Sequence, residues 1–305
     1  DGARVIRKSI SRQDNREYGF VRWHSQMKRL QRFNELVPGL FPKLLDVGVD
    51  GDAAYFEIEY FDDAYDVKQY LTEENPSFAS IHRLHNQFWD ALDLLHSHRL
   101  YAPWGSMRLY FEEEIVKKLT DALKNSEFSE FAQQNSFLFE EEMVPGLLGE
   151  IEWCRERFGS VRISTECLTH GNITLENVMY IPDTGRIIFI DPYDENIVDC
   201  VENEYSQILQ CSKNHYGFIN DRTVDVEGNS VRFNCQIPAG LQQFDRLFRS
   251  RLRNYLNREK LFIVSLFEIS QFVRMLPFKI LSGELNKAKY FYVLASSLVH
   301  KLQQS

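Results

Sequence analysis

Residues 168–180 read LTHGNITLENVMY, and residues 189–194 read FIDPYD. A short span thus holds a histidine–glycine pair, Asn172, Asn177 and, at the end of an apolar run, Asp191. Phosphoryl transfer asks a protein mainly for positioning and charge neutralisation. It uses a cation on the phosphates, metal ions held by an Asp and an Asn, and a carboxylate orienting the acceptor hydroxyl. A sequence of the form HGD, four residues, Asn, then a strand ending in Asp supplies the last three from one loop and one hairpin. His170, Gly171, Asn172, Asn177 and Asp191 occupy that frame. An amide, Asn172, stands where the carboxylate belongs, and an amide accepts a hydrogen bond without being able to hold a proton.

Other elements must bring a cation and a nucleotide platform to this loop. ARVIRK, residues 3–8, predicts a short strand ending in Lys8. Residues 16–36 carry Phe20, Trp23, Met27, Leu30, Phe33 and Leu36 at steps of three and four, the period of an amphipathic helix. Pro38 and Gly39 end it. KLLDVGV (43–49) and AAYFEIEYF (53–61), joined through Asp50, Gly51 and Asp52, predict a hairpin. Beyond the acidic DDAYD (62–66), helical patterns fall at 78–97, 108–125 and 137–158. Strands are expected near 165–169, 178–181 and 186–190, the last two around the turn Asp183–Thr184–Gly185. An irregular region at 218–238 precedes helices near 240–256, 258–275 and 284–303. The expected fold is α+β, with residues 1–61 as a small sheet-plus-helix lobe and residues 62–305 as a large, mainly helical lobe that carries the loop.

With 305 residues, 44% of them hydrophobic, the chain can bury a substantial core. Its net charge of -9 disfavours nucleic acid and anionic membrane surfaces as partners and suits a neutral or cationic small molecule. Five cysteines with no CxxC pair argue against a disulfide framework or zinc knuckle, so reduced cytoplasmic thiols are expected. No apolar run approaching a membrane span and no signal peptide is expected, and the chain opens at Asp1 without a methionine. The histidines His82, His85, His96 and His98 lack a carboxylate or cysteine partner, so a solvated helix surface is expected there rather than zinc. Asp62, Asp63 and Asp66 could steer a cation, although exposed loops are commonly acidic.

In this order of elements the chain resembles the aminoglycoside phosphotransferase and choline kinase family, small-molecule relatives of the protein kinases. Lys8 resembles the phosphate-anchoring lysine, and the helix around Gln26, Leu30 and Phe33 resembles the one that follows it. IEYF, Ile58–Phe61, is similar to the hinge whose backbone meets adenine, which marks Glu59 and Phe61. HGNITLENV resembles the catalytic loop and IDP, Ile190–Pro192, the metal-binding aspartate segment. The resemblance implies a protein-kinase-like two-lobed fold, ATP and Mg2+ as cofactors, Asn177 and Asp191 as metal ligands, a mainly structural His170, and a sugar-like or cationic acceptor. The stretches EYSQILQCSKNHYGF and FVRMLP are similar to a bacterial branch associated with surface polysaccharides. The sequence departs from the family pattern at Asn172, at Gln26, where a glutamate that pairs with the lysine is usual (Glu17 offers another register), and in lacking a nucleotide-covering hairpin before Lys8. The departures leave an alternative reading, a nucleotide-binding pseudokinase that acts as a scaffold.

Overall fold

The computed structural model describes residues 4–15, 19–103, 105–193 and 196–305. It is 54% helix and 17% strand, a mixed α+β chain with small sheets and a helical C-terminal part. Asp194 and the alternative Glu17 lie outside the described residues. The chain forms two compact units. The first takes Asp1–Arg99, Cys167–Asp199 and Ala239–Leu247, and the second takes the rest. The boundary expected near Phe61 falls inside the first unit.

The first unit opens with β1 (Val5–Ser11), α1 (Phe20–Leu36), β2 (Leu44–Asp50) and β3 (Ala53–Glu59). The strands form an antiparallel sheet in the order β1-β3-β2. Directly opposed residues share a face of a sheet, so the pairs Lys8↔Phe56, Ile6↔Ile58 and Val47↔Phe56 set the side chain of Lys8 among the apolar residues of one face. On the other face Arg7 pairs with Glu57 at 2.7 Å and lies 4.1 Å over the ring of Tyr55. The predicted helical period holds: α1 buries Met27, Leu30 and Phe33. Its end is closed by the Val37 amide on the Phe33 carbonyl at 2.9 Å, and Gly39 turns the chain at φ +84.

Two short elements that the sequence did not foreshadow follow, β4 (Tyr65–Asp66) and α2 (Val67–Thr72). Asp66 caps α2, accepting from the Gln69 amide at 2.8 Å, and Asp62 pairs with Arg4. Two of the three acidic residues of this segment therefore have local structural partners. The helix α3 (Phe78–His96) begins at the N-cap Ser77. Contrary to a solvated histidine surface, His85 and His96 are buried on it, because His85 falls on the apolar stripe and packs near Trp89 and Phe244. After β5 (Arg99–Tyr101) the chain passes into the second unit.

In the second unit a continuous helical stretch, α4 (Ser106–Phe111), a π-turn (Glu112–Val116) and α5 (Lys117–Ala122), precedes α6 (Ser126–Ala132). The helix expected over 137–158 is instead a hairpin, β6 (Ser136–Phe139) and β7 (Glu142–Pro145), followed by a shorter α7 (Leu147–Ser160). Glu140 and Glu141 make the turn at φ +46 and +76. Following β8 (Thr165–Cys167), the first unit resumes with a 3-10 turn (Leu175–Asn177), β9 (Val178–Ile181) and β10 (Arg186–Phe189) in a sheet ordered β10-β9-β4. The second unit then adds α8 (Val201–Ser212), α9 (Tyr216–Asp221), β11 (Asp225–Glu227) and β12 (Ser230–Arg232). The region expected to be irregular thus contributes a helix and a hairpin. β12 runs parallel to β6, giving the sheet β11-β12-β6-β7.

The last helices are α10 (Ala239–Tyr255), α11 (Arg258–Val273), α12 (Leu276–Leu281) and α13 (Leu285–Gln303). A polar seam joins α8 to α11: the Gln271 amide donates to Asn203 and Ser206, both at 3.0 Å. Against the expectation of no such run, Arg258–Leu281 is long and apolar enough by composition to cross a membrane. Its apolar window is 61% buried within the molecule, which accounts for that composition by core packing of α11. No two of the described cysteines form a disulfide, and burial pushes the Cys154 thiol up to about 12.

Candidate functional site

Three parts of the first unit meet at one cleft, lined by Lys8 from β1, Gln26 and Leu30 from α1, Pro42, Phe56 and Ile58, and Asp191 and Pro192 from beyond β10. Lys8 Nζ forms an ion pair with Asp191 Oδ1. The pair joins residues far apart in the chain, and both side chains keep partial solvent contact. With the two charges touching, the enclosed void is ≈ 10 Å3, about the space of one water.

Hydrogen bonds from both sides hold the loop that presents Asp191. His170 is fully buried. Its Nε2 lies 2.6 Å from the Ile190 carbonyl and its Nδ1 accepts from the Asn172 amide at 3.2 Å. With Nδ1 accepting, the proton belongs on Nε2, and both ring nitrogens are engaged. The Ile190 amide donates to the Asn177 carbonyl at 2.9 Å and the Tyr193 amide to the His170 carbonyl at 2.8 Å. Between these anchors Asp191 adopts φ +54, a left-handed conformation that costs a non-glycine residue roughly 1–3 kcal/mol and persists only where its surroundings enforce it.

Asn177 Nδ2 donates to the Asn172 carbonyl at 2.9 Å. That bond orients the amide so that Oδ1 remains as its acceptor. Asn177 Oδ1 and the Asp191 carboxylate are hard oxygen donors of the kind that suits Mg2+, which needs few protein ligands when water and phosphate complete its shell. Asn172 itself is exposed. Among the described residues no three or more His, Cys, Asp or Glu side chains group so as to hold a metal ion.

Glu59 and Phe61, expected at a hinge, fall outside the lining of the cleft. The Glu59 carboxylate accepts from the Lys43 amide at 3.4 Å, and the Phe61 ring lies 5.2 Å from the Arg186 guanidinium. Only their neighbour Ile58 reaches the cleft. Tyr60 and Phe61 enter no backbone–backbone hydrogen bond among the described residues.

Sequence reasoning missed a second layer. Arg29, one turn beyond Gln26, donates to the Thr169 carbonyl at 2.7 Å and lies 3.6 Å from Asp199. Asp199 also accepts from the Thr169 hydroxyl and from Asn196 at 2.8 Å. Arg22 stacks 4.4 Å over Tyr193. Lys68 of α2 pairs with Glu176, inside the loop, at 3.0 Å. Burial raises the Asp66 carboxyl nearby, opposed by the bond from the Gln69 amide. A basic residue at i+3 from Gln26, on the same face as Phe33, was the available signal for Arg29. Compared with protein-family models and with curated proteins, the chain matches none.

Proposed function

We propose that the protein is a kinase-like phosphotransferase that moves the γ-phosphoryl group of ATP to a hydroxyl of a small molecule. The observation that carries this reading is the convergence of Lys8, Gln26 and Asp191 on one cleft beside the loop of Asn172 and Asn177. The sheet β1-β3-β2 with α1, followed by the β9–β10 hairpin, supports a protein-kinase-like arrangement with a small lobe over residues 1–61 and a large one over 62–305. Lys8 would hold phosphates, and Asn177 with Asp191 would hold Mg2+, whose bound charge neutralises the phosphates. The main chain of Glu59 to Phe61 would meet adenine. Lys8 and Asp191 satisfy each other in the ion pair, and a phosphate and a divalent cation would take over those two roles.

In the reaction the bond from the γ-phosphorus to the ADP oxygen breaks and one to the acceptor oxygen forms. The hydroxyl proton passes to a phosphate oxygen or to water, since Asn172 can orient the hydroxyl but not take that proton. Sugars, amino alcohols and surface-polysaccharide precursors are the acceptor classes to screen, in keeping with a cytoplasmic enzyme of net acidic charge. The second reading is a nucleotide-binding pseudokinase that acts as a scaffold. Two amides, Asn172 and Gln26, favour it, since each stands where the resemblance expects a carboxylate.

Thermal denaturation with and without Mg-ATP tests the nucleotide site. Ligand binding to the folded state alone adds about 2.7 kcal/mol at one hundred times the dissociation constant, so a rise in Tm is expected. Asp191→Ala should remove most of that rise, and His300→Ala on α13 should leave it intact. No shift at millimolar Mg-ATP would refute the nucleotide site. Asn172→Asp should raise turnover by roughly a hundred- to ten-thousand-fold, the range for a positioned base, with little change in nucleotide affinity. Equal, measurable turnover by both versions would remove the role given to residue 172. Binding without turnover by either would favour the scaffold.

A further inference from the structure

The helix α1 sends three side chains at i, i+4 and i+7 toward the site: Arg22, Gln26 and Arg29. Gln26 lines the cleft and Arg22 covers Tyr193. Arg29 makes the most committed contact. Its side chain is 16% exposed, its Nη2 donates to the Thr169 carbonyl at 2.7 Å, and its guanidinium sits 5.2 Å from the Phe33 ring. A desolvated arginine fixed by a carbonyl, a carboxylate and an aromatic face has little conformational freedom left. Thr169 is the residue before His170. Its carbonyl is held by Arg29 and its hydroxyl by Asp199, whose backbone carbonyl takes the Cys167 amide at 2.9 Å. The start of the loop is therefore clamped from α1 on one side and from Asp199 on the other.

Downstream the constraint passes through groups in direct contact. Asn196, which donates to Asp199, closes off the space beside Gly171. The Asn172 carbonyl accepts from the Thr174 amide and from Asn177 Nδ2, both at 2.9 Å. We propose that Arg29 is a positioning residue for the metal-binding loop: through Thr169 and Asp199 it locks residues 168–177 to α1 and so sets the orientation of the Asn177 amide. The inference rests on the phosphotransferase reading for its functional meaning and on the hydrogen bonds alone for the anchoring. Lysine should replace arginine only in part: Nη2 makes both the Thr169 and the Asp199 contact, and an ammonium can supply that charge but not the flat guanidinium near the Phe33 ring.

Two measurements on the full chain test it, with Arg29→Met and Arg29→Lys. In amide hydrogen exchange, peptides covering 168–178 should exchange at least about tenfold faster in Arg29→Met and to an intermediate degree in Arg29→Lys, with β1, β3 and α3 unchanged. Trp23, whose ring is 5.1 Å from Phe56 of the cleft, provides a fluorescence signal for ATP titrations with Mg2+ and with EDTA. Arg29→Met should weaken ATP binding by about tenfold or more with Mg2+ and less than about twofold in EDTA, a split that general destabilisation does not produce. Unchanged loop exchange in both variants, or acceleration spread equally over the first unit, would overturn the proposal, as would equal losses of affinity with and without Mg2+. If Arg29→Met does not fold, Arg29→Lys decides by the same criteria. If the wild-type chain binds no ATP, the phosphotransferase reading fails, and the exchange data alone decide whether Arg29 anchors the loop.

Discussion

At Gly171 a side chain has no place to go. Its backbone sits at φ +82, and an added Cβ would lie 2.4 Å from Asn196 Nδ2 and 3.1 Å from the Cβ of Tyr193. Gly171→Ala should therefore destabilise the protein by about 1–2 kcal/mol from the left-handed backbone alone, with the displaced Asn196 adding to it. Urea unfolding measures the loss, and an unchanged midpoint would show that the loop is looser than its hydrogen bonds suggest. The residues of this loop were legible in the sequence because their spacing is local: a His-Gly pair, Asn177 and Asp191 stand within one loop and one hairpin. The place of Arg29 on the face of α1 could be read, but its contacts with Thr169 and Asp199 could not, since a contact between distant residues leaves no periodic trace. Of the segment Ile58–Phe61 only Ile58 lines the cleft. Glu59 and Phe61 turn their side chains to Lys43 and Arg186, outcomes that depend on neighbours brought in by folding.

Among the elements, those with a complete apolar stripe were read well. The helix α1 and the β2–β3 hairpin fall where periodicity and turn residues put them. The segment 137–158 was misread because SFLF and EMVP are too short to separate helix from strand by period. What decides their conformation is β12, far along the chain, pairing in parallel with β6. The junction of α12 and α13 carries a titrating device that no pattern announced. Glu284 accepts from Lys279 at 2.8 Å and from Lys287 at 2.5 Å, and these two bonds, Lys279 first, hold its carboxyl below the ordinary value of 4.5. A carboxylate lowered on folding stabilises the protein above its unfolded-state value, and the contribution disappears as pH falls through the folded one. Glu284→Gln should thus lower stability at pH 7 by roughly 1–3 kcal/mol, leaving the buried Lys279 ammonium short of its partner. The gap between variant and wild type should close as pH falls from the ordinary carboxylate value through the lowered folded-state one. A gap that stayed constant in denaturant titrations down to full protonation of the carboxyl would show that the carboxylate charge is not its source.

Over the whole molecule, the mixed α+β class followed from the sequence, but the grouping of segments did not. Unit membership depends on packing: the first unit is assembled from three stretches of chain. Its last stretch is held by a close approach, since a Cβ at Gly240 would lie 2.2 Å from the Leu71 carbonyl oxygen. Phe244, a turn further along α10, packs 5.8 Å from Phe88. Gly240→Ala should accordingly lower Tm, with a cost of roughly 1–3 kcal/mol from overpacking against backbone, although it touches no residue of the cleft. An unchanged Tm would mean that α10 can shift without loss. The interleaving also has a meaning for biosynthesis. Lys8 is synthesised long before Ala239–Leu247, and the unit around it lacks a wall until that stretch has been made. At about 5–20 residues per second, the nascent chain must wait on the order of ten seconds or more with that apolar surface uncovered. The same stretch of time is open to a chaperone.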